Sequence, residues 1–301
     1  MNKIETPIIR PFGEIPISTT TIIVNTNLSI DLAGLFEAIP VADIEVNSSI
    51  TNKNKIKDEL LKMNLPLGTI ISIQFRDNVR GIRMSKKTTY FRNNMSIYIV
   101  IQGKIMNFKV PIRGKMQITG ATRQEQANSC VKYFIHHLLN LPKKVYTLVN
   151  GDTIKLTFKT VMTDIVFNIG FKVDRQKLDK YINLRTKDYT STLETSVGYT
   201  GVNIKHPFDH EDTELLTMEL VDEKSEEWID GKTTFKQYLE TLTVTERKKE
   251  LSKKRNNTFL VFYSGTAIMS GMTPYYMKGI YYNFNKMVRE ARTQIEEINT
   301  I

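Results

Sequence analysis

A regular alternation of apolar and polar side chains runs through the segment RGKMQITGAT at residues 113–122. Successive side chains of a strand point to opposite faces of its sheet, so this pattern predicts a short strand with glycine near each end. One face is apolar and holds Ile112, Met116 and Ile118. The other face presents the following side chains: Pro111, Arg113, Lys115, Gln117 and Thr119.

A second segment, SGTAIMSGMT at residues 264–273, also has two glycines separated by five residues, and Gly265 follows Gly114 by 151 positions. Its alternation predicts a second strand of the same kind. The face expected to be buried consists of Val261, Tyr263, Ala267 and Met269. The opposite face consists of Phe262, Ser264, Thr266, Ile268 and Ser270.

A further similarity in the same order indicates an internal repeat. Residues 20–39 resemble residues 163–182, with Asp31 matched to Asp174 at an offset of 143. Each of these stretches is β-rich and passes directly into a helical pattern. Further helical patterns follow the two glycine strands, at residues 123–141 and 274–298. We therefore predict two copies of one unit, each composed of strand, helix, several strands, glycine strand and helix.

The repeat sets the expected domain boundaries. Residues 1–15 form an N-terminal extension, residues 16–145 the first repeat and residues 146–301 the second. Both repeats are lengthened at the same place. The first insertion covers about 77–110 and has hairpin patterning with turn residues Gln102 and Gly103, and the second covers about 206–257.

The charge is unevenly distributed along the chain. The formal net charge is +10, and residues 1–150 hold 20 Lys and Arg against 10 Asp and Glu, so the whole excess lies in that half. Residues 209–230 instead hold ten acidic side chains and one lysine. A basic protein with one acidic block is typical of a chain that binds a polyanion and keeps one segment away from it. Solvated surface charge is the alternative interpretation.

Several classes of protein are disfavoured by composition. The single cysteine, Cys130, excludes an internal disulfide and a cysteine-cluster zinc site, and its apolar helical surroundings indicate core packing in a reducing compartment. No stretch approaches the roughly 20 apolar residues of a membrane span. The N-terminal residues include prolines and acids where a signal peptide has its apolar core. We therefore expect an intracellular protein with no membrane segment.

No catalytic pattern stands out. The chain lacks the glycine-rich phosphate loops of nucleotide-binding proteins. His206 and His210 with neighbouring acids resemble a metal site, but Pro207 between them favours a solvated loop. No nucleophile is paired with a base. We therefore expect no enzyme, no cofactor, no metal and no small-molecule substrate.

The outward faces of the two glycine strands combine cations, small hydroxyls, one amide and a few apolar side chains. This mixture fits a wide, shallow, anionic surface such as the DNA minor groove. There, hydroxyls and amides meet the acceptors of A·T pairs, cations meet phosphates, and an apolar wedge can unstack a base step. Alternatively, both strands belong to half-buried sheets whose outer faces are covered by the insertions.

The segment GKMQITGA, followed by the helical run RQEQANSCVKYFIHHLL, resembles the signature of the TATA-box-binding protein family. In that family a Gly-Lys-Met strand ends in Thr-Gly-Ala before a long helix. SGTAIMSG with its preceding LVFY resembles the second-repeat version. The resemblance covers most of the chain outside the insertions and the first fifteen or so residues. It also extends to the divergent, stretched members of large DNA viruses.

This resemblance implies an α+β saddle of two pseudo-symmetric halves, each a curved antiparallel sheet with helices on the convex face. Phe262 then corresponds to a DNA-kinking wedge, and Pro111 stands at its first-repeat counterpart. The second wedge of the second repeat falls near Tyr199, and that of the first repeat falls near Leu67. Arg113, Lys115, Ser264 and Thr266 complete the implied DNA-binding strands.

Other positions correspond to the floor of the family's DNA-binding face. Thr119 and Ser270 match threonines that touch the minor groove. Ile268 matches a floor valine, and Gln117 replaces its first-repeat partner.

Two features depart from the family pattern. The base-reading asparagines fall at Thr19 and Met162, so both are lost. Asp164 would lie on the floor of the second half, where an anion is unfavourable beside phosphates. These departures argue against TATA-type specificity and favour DNA binding by the first repeat over the second.

The resemblance implies a transcription initiation factor that binds and bends A·T-rich promoter DNA through the minor groove and nucleates the initiation complex. Other initiation factors or an RNA polymerase would dock on the convex helices at 123–141 and 274–298 and on the insertions. The expected location is the nucleus, a cytoplasmic viral factory or the virion.

The rival hypothesis is a protein-interaction scaffold that keeps the saddle but has lost DNA binding. Asp164 and Gln117 favour the scaffold, whereas Phe262, Lys115 and the basic first half oppose it.

Overall fold

The chain has an α+β fold with a large antiparallel sheet and several helices. The structure is a computed structural model. It describes residues 9–46, 52–84, 93–193, 201–209, 211 and 214–297. Within these ranges the chain divides into two compact units. The first unit takes residues 21–159 and 213–238, and the second takes residues up to 20, 160–212 and 239 onward.

The helices follow a short 3₁₀ turn at Phe12–Glu14. They are α1 (Leu32–Ala38), α2 (Lys53–Lys62), α3 (Gln124–Leu139), α4 (Arg175–Arg185), α5 (Phe235–Glu240), α6 (Val244–Leu251), α7 (Pro274–Glu290) and α8 (Arg292–Ile295). None of the helices in the described ranges is long and apolar enough to cross a membrane.

The strands are named in chain order. They are β1 (Ile17–Thr26), β2 (Leu28–Ile30), β3 (Ile70–Phe75), β4 (Asn78–Gly81), β5 (Asn94–Ile101), β6 (Lys104–Pro111), β7 (Met116–Ala121), β8 (Tyr146–Leu148), β9 (Thr153–Asn168), β10 (Thr190–Leu193), β11 (Val202–Phe208), β12 (Leu215–Asp222), β13 (Trp228–Thr234), β14 (Arg255–Val261) and β15 (Thr266–Gly271).

The first unit buries one face of its sheet under α1 and α3. The strands are ordered β1-β7-β6-β5-β3-β4. Phe108 of β6 meets Phe134 of α3 edge to face, with 5.2 Å between the ring centroids. Cys130 of α3 lies in the same core and is fully buried, which confirms the core packing predicted for it. Burial raises the pKa of its thiol, so this cysteine is unreactive.

The other face of the first unit is partly covered by α2. Ile56 and Leu60 of α2 pack with Tyr98 and Val100 of β5 in a separate apolar cluster. Tyr98 and Val100 alternate with residues of the main core, so α2 lies on the opposite face from α1 and α3.

The second unit is organised in the same way, with its sheet ordered β10-β11-β14-β15-β9. Helices α4, α7 and α8 cover one face, where Phe259 of β14 stacks on Phe284 of α7 at 3.9 Å. The N-terminal residues belong to this unit, because Phe12 packs against Tyr281 of α7 at 5.5 Å. The hydroxyl of Tyr281 also donates a hydrogen bond to the Arg10 carbonyl oxygen.

Apart from β4 at the edge of the first unit's sheet and the hairpin β12–β13, both units share one strand order. Beginning with the first long strand, the order in the first unit is β1, β7, β6, β5, β3, and in the second it is β9, β15, β14, β11, β10. In each unit the first strand therefore neighbours the last, and the remaining strands follow in reverse chain order. A helix follows the last strand in each case, α3 after β7 and α7 after β15.

An aspartate N-cap precedes both α1 and α4. The carboxylate of Asp31 accepts hydrogen bonds from the amides of Ala33 and Gly34, at 3.1 Å each. The carboxylate of Asp174 accepts one from the amide of Lys177 at 3.0 Å. Such N-caps satisfy amides that have no partner inside the helix. The matched aspartates therefore hold matched structural positions.

The acidic block forms part of a hairpin of the first unit. Strand β12 pairs with β13 and with the first residues of β9. Glu219 of β12 lies against α3, where its carboxylate accepts a hydrogen bond from Asn128 and lies 3.8 Å from the Lys132 ammonium. His136 of α3 contacts Glu226 at 3.0 Å. Two acidic side chains of the block, Glu219 and Glu226, are thus held against α3.

Candidate nucleic-acid interface

One face of the second unit's sheet carries no helix from the core described above, and we call it the open face of the second unit. Strand pairing aligns its side chains in two rows across β9, β15, β14, β11 and β10. The first row is Val166, Ile268, Leu260, Asn203 and Thr192. The second row is Asp164, Ser270, Thr258, Lys205 and Thr190.

The open face of the second unit mixes small polar side chains with exposed apolar ones. Val166 is 43% exposed and Met162 is 37% exposed. Ile268 and Leu260 are half-buried, whereas their chain neighbours on the other face are fully buried. Apolar side chains left uncovered on one face of a sheet indicate a surface that contacts a partner.

Phe262 lies at the edge of this face, where β14 turns into β15. Its carbonyl oxygen accepts the amide hydrogen of Gly265 at 3.0 Å, and its own amide donates to the Thr266 carbonyl at 2.9 Å. Gly265 has φ +80°, the left-handed conformation that such a hairpin turn requires. Ser264 is exposed within the turn, and the Phe262 side chain is half-buried.

The first unit repeats this turn between β6 and β7. The Pro111 carbonyl oxygen accepts the amide hydrogen of Gly114 at 3.3 Å, and Gly114 has φ +57°. Arg113 and Lys115 are exposed on this turn. The prediction of one continuous strand through both residues is therefore wrong, because β7 begins at Met116.

Two residues in these turns were predicted to be buried, and both predictions are wrong. Ile112 and Tyr263 were expected on the buried faces, but they are 45% and 41% exposed. Alternation holds only within a strand, and both residues lie in the hairpin turns that precede β7 and β15. The remaining predicted core positions, Met116, Ile118, Val261, Ala267 and Met269, are fully buried.

Within the first unit, Gln117 and Thr119 lie on the face opposite Met116 and Ile118. Strand β6 places Lys109 beside Gln117 and Asn107 beside Thr119. We call these four residues the open face of the first unit. It is smaller than that of the second unit, because α2 covers the neighbouring part of the sheet.

Leu67, predicted as the second wedge of the first repeat, does not lie beside Pro111. Leu67 is 48% exposed, and the adjacent Gly68 donates its amide to the carbonyl of Val100. Pro111 pairs with Asn94 at the far end of β5, six residues or about 20 Å from Val100. Tyr199 lies outside the described residues.

A basic notch at the end of the first unit's open face escaped the sequence analysis. Lys57 of α2 and Lys104 of β6 line a cavity of about 200 Å³ together with Thr119 and Gly120. Lys104 donates to the Gly120 carbonyl at 2.8 Å. Burial lowers the pKa of Lys57, and the nearby charges of Lys53 and Lys104 lower it further. The cavity is also lined by Asp58, and the Lys57 ammonium donates to the Ile105 carbonyl at 3.0 Å, so the charge of the lining is mixed.

The sequence locates the open-face positions Asn107 and Lys109 through the alternation of β6, but it does not locate the two notch lysines. Lys57 comes from a helix 47 residues earlier than Lys104, and the sequence gives no local signal that joins them.

Metal chemistry finds no structural support in the described ranges, which contain no group of three or more His, Cys, Asp and Glu side chains able to hold an ion. His206 lies in β11 with its ring 4.9 Å from that of Tyr189, so the loop predicted around it is wrong at this residue. His210 lies outside the described residues.

Asp164 lies on the open face of the second unit, opposite Ser270. One carboxylate oxygen, Oδ1, is buried and has no hydrogen-bond partner among the described residues. The cation in its row, Lys205, is three strand spacings away, about 14 Å. At that distance salt screens most of the attraction between exposed charges.

The chain is similar to proteins found by sequence and by structure comparison. No family model matches the chain. It is 25% identical over 301 residues to uncharacterized protein 335L of Invertebrate iridescent virus 6, with 97% of this chain and 88% of that protein covered. Among solved structures it is similar to Methanococcus jannaschii TBP, with a TM-score of 0.42 and 12% identity, covering 92% of this chain and 99% of that one.

Proposed function

We propose that this protein is a TATA-box-binding-protein-like factor that binds duplex DNA through the minor groove and nucleates a transcription-initiation complex. The observation that carries the proposal is the open face of the second unit, not the first repeat that the sequence favoured, because α2 covers part of the first unit's sheet. It is an uncovered sheet surface of small hydroxyls, amides and exposed apolar side chains, with Phe262 at its edge.

The chemistry of this face suits the floor of a minor groove. A·T pairs present only acceptor atoms there, which a hydroxyl such as that of Ser270 can meet as a donor. Small and apolar side chains follow the shallow groove floor, and an aromatic ring at the rim can enter a base step and kink the duplex. Phe262 is the residue proposed for that role.

The two units are proposed to be copies of one repeat, and matched hydrogen bonds support this. The amide of Ile30 donates to the carbonyl of Ile112 at 2.8 Å, as the amide of Val173 does to that of Tyr263 at 2.9 Å. These residues are offset by 143 and 151 positions, the same offsets that relate the aspartates and the glycines.

A second pair of hydrogen bonds supports the repeat. The amides of Asp31 and Asp174 donate to the carbonyls of Val145 and Ile295, each at 2.8 Å. On this interpretation β5 and β6, which lie in the interior of the first unit's sheet, belong to the repeat and are not an insertion.

Partner proteins are proposed to dock on α7 rather than α3. The hairpin β12–β13 engages the polar side of α3 through Glu219 and Glu226. Helix α7 instead presents Tyr275, Lys278 and Lys286 to solvent. An initiation factor or polymerase subunit with an acidic surface would complement these lysines. We propose that the protein acts in the nucleus or a cytoplasmic viral factory of an infected cell, or is packaged in the virion.

The scaffold alternative keeps a specific observation in its favour. Helix α2 covers part of the first unit's sheet on the face where DNA would bind. A protein ligand on the remaining open faces would not require the positive charge that DNA does.

A binding assay with A·T-rich and G·C-rich duplexes separates the two functions. We expect the protein to prefer A·T-rich DNA, with affinity falling steeply as salt rises because phosphates are neutralised. Phe262→Ala should weaken binding about tenfold or more, the usual effect of removing an aromatic anchor. Lys115→Glu should weaken binding and flatten the salt dependence.

Matched controls lie on the helix-covered side of the second unit. Tyr275→Ala removes an exposed aromatic ring of α7, and Lys180→Glu reverses an exposed charge of α4. Neither should alter DNA affinity. Equal and negligible binding by the wild type and all variants would favour the scaffold.

A further inference from the structure

Asp164 is the one acidic side chain in the two rows that define the open face of the second unit. Its neighbours on β9 on that face are the exposed Met162 and Val166. Across the strand it faces Ser270, a small side chain that leaves space above the sheet. Asp164 is therefore a half-buried acidic side chain on the surface where the proposed function places the groove floor.

The hydrogen bonding of Asp164 is incomplete within the described residues. Its Oδ1 atom is buried and accepts no hydrogen bond. An ionised carboxylate has only acceptor atoms, and a buried polar atom that lacks a partner calls for an explanation. Because Oδ1 is closed off from solvent, a base would reach this carboxylate through Oδ2, or after the carboxylate rotates about its terminal bond. The hydroxyl of Ser270, its partner across the strands, does not donate to Oδ1.

The chemistry of the minor groove limits which donor can meet the carboxylate. A·T and T·A pairs present only acceptors, adenine N3 and thymine O2, which would repel a carboxylate. A G·C pair adds one donor, the exocyclic N2 amino group of guanine. Of the base edges in that groove, only guanine can therefore donate to Asp164.

We propose that Asp164 is a specificity-determining residue that selects a G·C pair at one position of an otherwise A·T-tolerant site, by accepting a hydrogen bond from guanine N2. The inference rests on the proposed DNA binding. On this proposal the carboxylate of Asp164 reads a base, although an anion is otherwise unfavourable on a DNA-binding face. The preferred DNA sequence would then contain one G·C pair within an A·T run.

The test is an anisotropy titration with an A·T-rich duplex in which a single G·C pair is moved through every position. We expect one position, or two adjacent ones, at which G·C strengthens binding about ten- to a hundredfold, as for a hydrogen bond to a charged group. Inosine in place of that guanine removes N2 but keeps the major-groove edge, and should abolish the gain. Diaminopurine paired with thymine adds the amino group to an A·T-type pair and should restore it.

Two variants assign the effect to this residue. Asp164→Asn keeps the shape but adds a donor, so it should reduce the discrimination between guanine and inosine. Asp164→Ala should abolish it and strengthen binding to the unsubstituted A·T duplex. Asp188→Asn, an exposed aspartate on the loop before β10, is the control and should behave as wild type. Circular dichroism of each variant establishes that it is folded.

The outcomes separate the inference from its premise. A wild-type protein that binds no duplex overturns DNA binding and the role of Asp164 together. A wild-type protein that binds DNA but gives equal affinities for guanine, inosine and diaminopurine at every position overturns the role of Asp164 alone.

Discussion

Gly114 and Gly265 fix the geometry of the two hairpin turns at the open faces. Both have a positive φ, +57° and +80°, and both lie against backbone. A side chain at Gly114 would overlap the Thr26 hydroxyl and the Leu28 carbonyl, and one at Gly265 would overlap the Phe171 carbonyl. No other residue type fits these positions without a shift of the backbone, so the wedge positions beside them depend on glycine.

We predict that Gly114→Ala destabilises the protein by about 2–5 kcal/mol. Left-handed backbone costs an alanine about 1–2 kcal/mol, and overpacking against Thr26 and Leu28 adds about 1–3 kcal/mol. Gly103→Ala is the matched control, because Gly103 has φ +64° but open space around it, and it should cost only the first part. Urea unfolding followed by circular dichroism measures both, and equal losses would contradict the role of the close approach.

Residue-level prediction from the sequence succeeded where alternation applies and failed where the backbone turns. The outward positions Phe262, Ile268 and Gln117 lie on the predicted faces. Ile112 and Tyr263 do not, because a left-handed glycine breaks the period and redirects the side chains before it. The glycine spacing singled out both segments, but it predicted strand at Arg113 and Ser264, where the chain turns.

At the scale of elements, the hairpin β12–β13 explains where the acidic block goes. Glu219 is buried against α3 and interacts with Asn128 and Lys132, and the Lys132 ammonium also lies 5.0 Å from the Trp228 ring. Lys144 binds Glu223 at 3.0 Å. The block therefore neutralises basic residues of its own unit.

We predict that Glu219→Gln stabilises the protein at neutral pH. Burial raises the pKa of Glu219 above its ordinary 4.5, with Asp230 adding to the rise and Lys132 and Asn128 opposing it. The folded state then binds this proton more tightly than the unfolded state. The wild type therefore loses stability as the pH rises from 4.5 through the raised pKa, whereas glutamine does not titrate.

The measurement is the free energy of unfolding in urea from about pH 4.5 to 8. The advantage of Glu219→Gln should be small at the acidic end and should grow to a plateau. Glu227→Gln, at an exposed site of the same hairpin, controls for the change in net charge. A variant that loses stability most at neutral pH would show that the pair with Lys132 outweighs the desolvation of Glu219.

The sequence correctly predicted the helices that follow the glycine strands. It did not predict which helices cover each face of the sheet. The patterns at 123–141 and 274–298 correspond to α3 and to α7 with α8. The covering of the first unit's second face by α2 could not be predicted. An amphipathic pattern shows that a helix buries one side, as Ile56 and Leu60 do, but not which sheet face receives it.

At the scale of the whole molecule, neither compact unit is a continuous stretch of chain. The first unit needs Ile154, Leu156 and Phe158 of β9 and Val221 of β12 for its core. The second unit needs residues near the N-terminus, where Ile15 and Phe12 pack with α7 and its neighbours. A boundary drawn between sequence repeats therefore does not coincide with a boundary between cores.

We predict that fragments 1–150 and 151–301 do not fold independently, although each contains most of one repeat. Fragment 1–150 lacks four large core side chains, and at about 1.5–3 kcal/mol each their loss is comparable to the roughly 5–15 kcal/mol that stabilises a domain. Separately expressed fragments should show no cooperative thermal transition by circular dichroism, and co-expression should restore one. The full-length chain is the control. A monomeric fragment 1–150 that melts as cooperatively as the full chain would show that β9 and the hairpin are dispensable, and that the repeat is itself the folding unit.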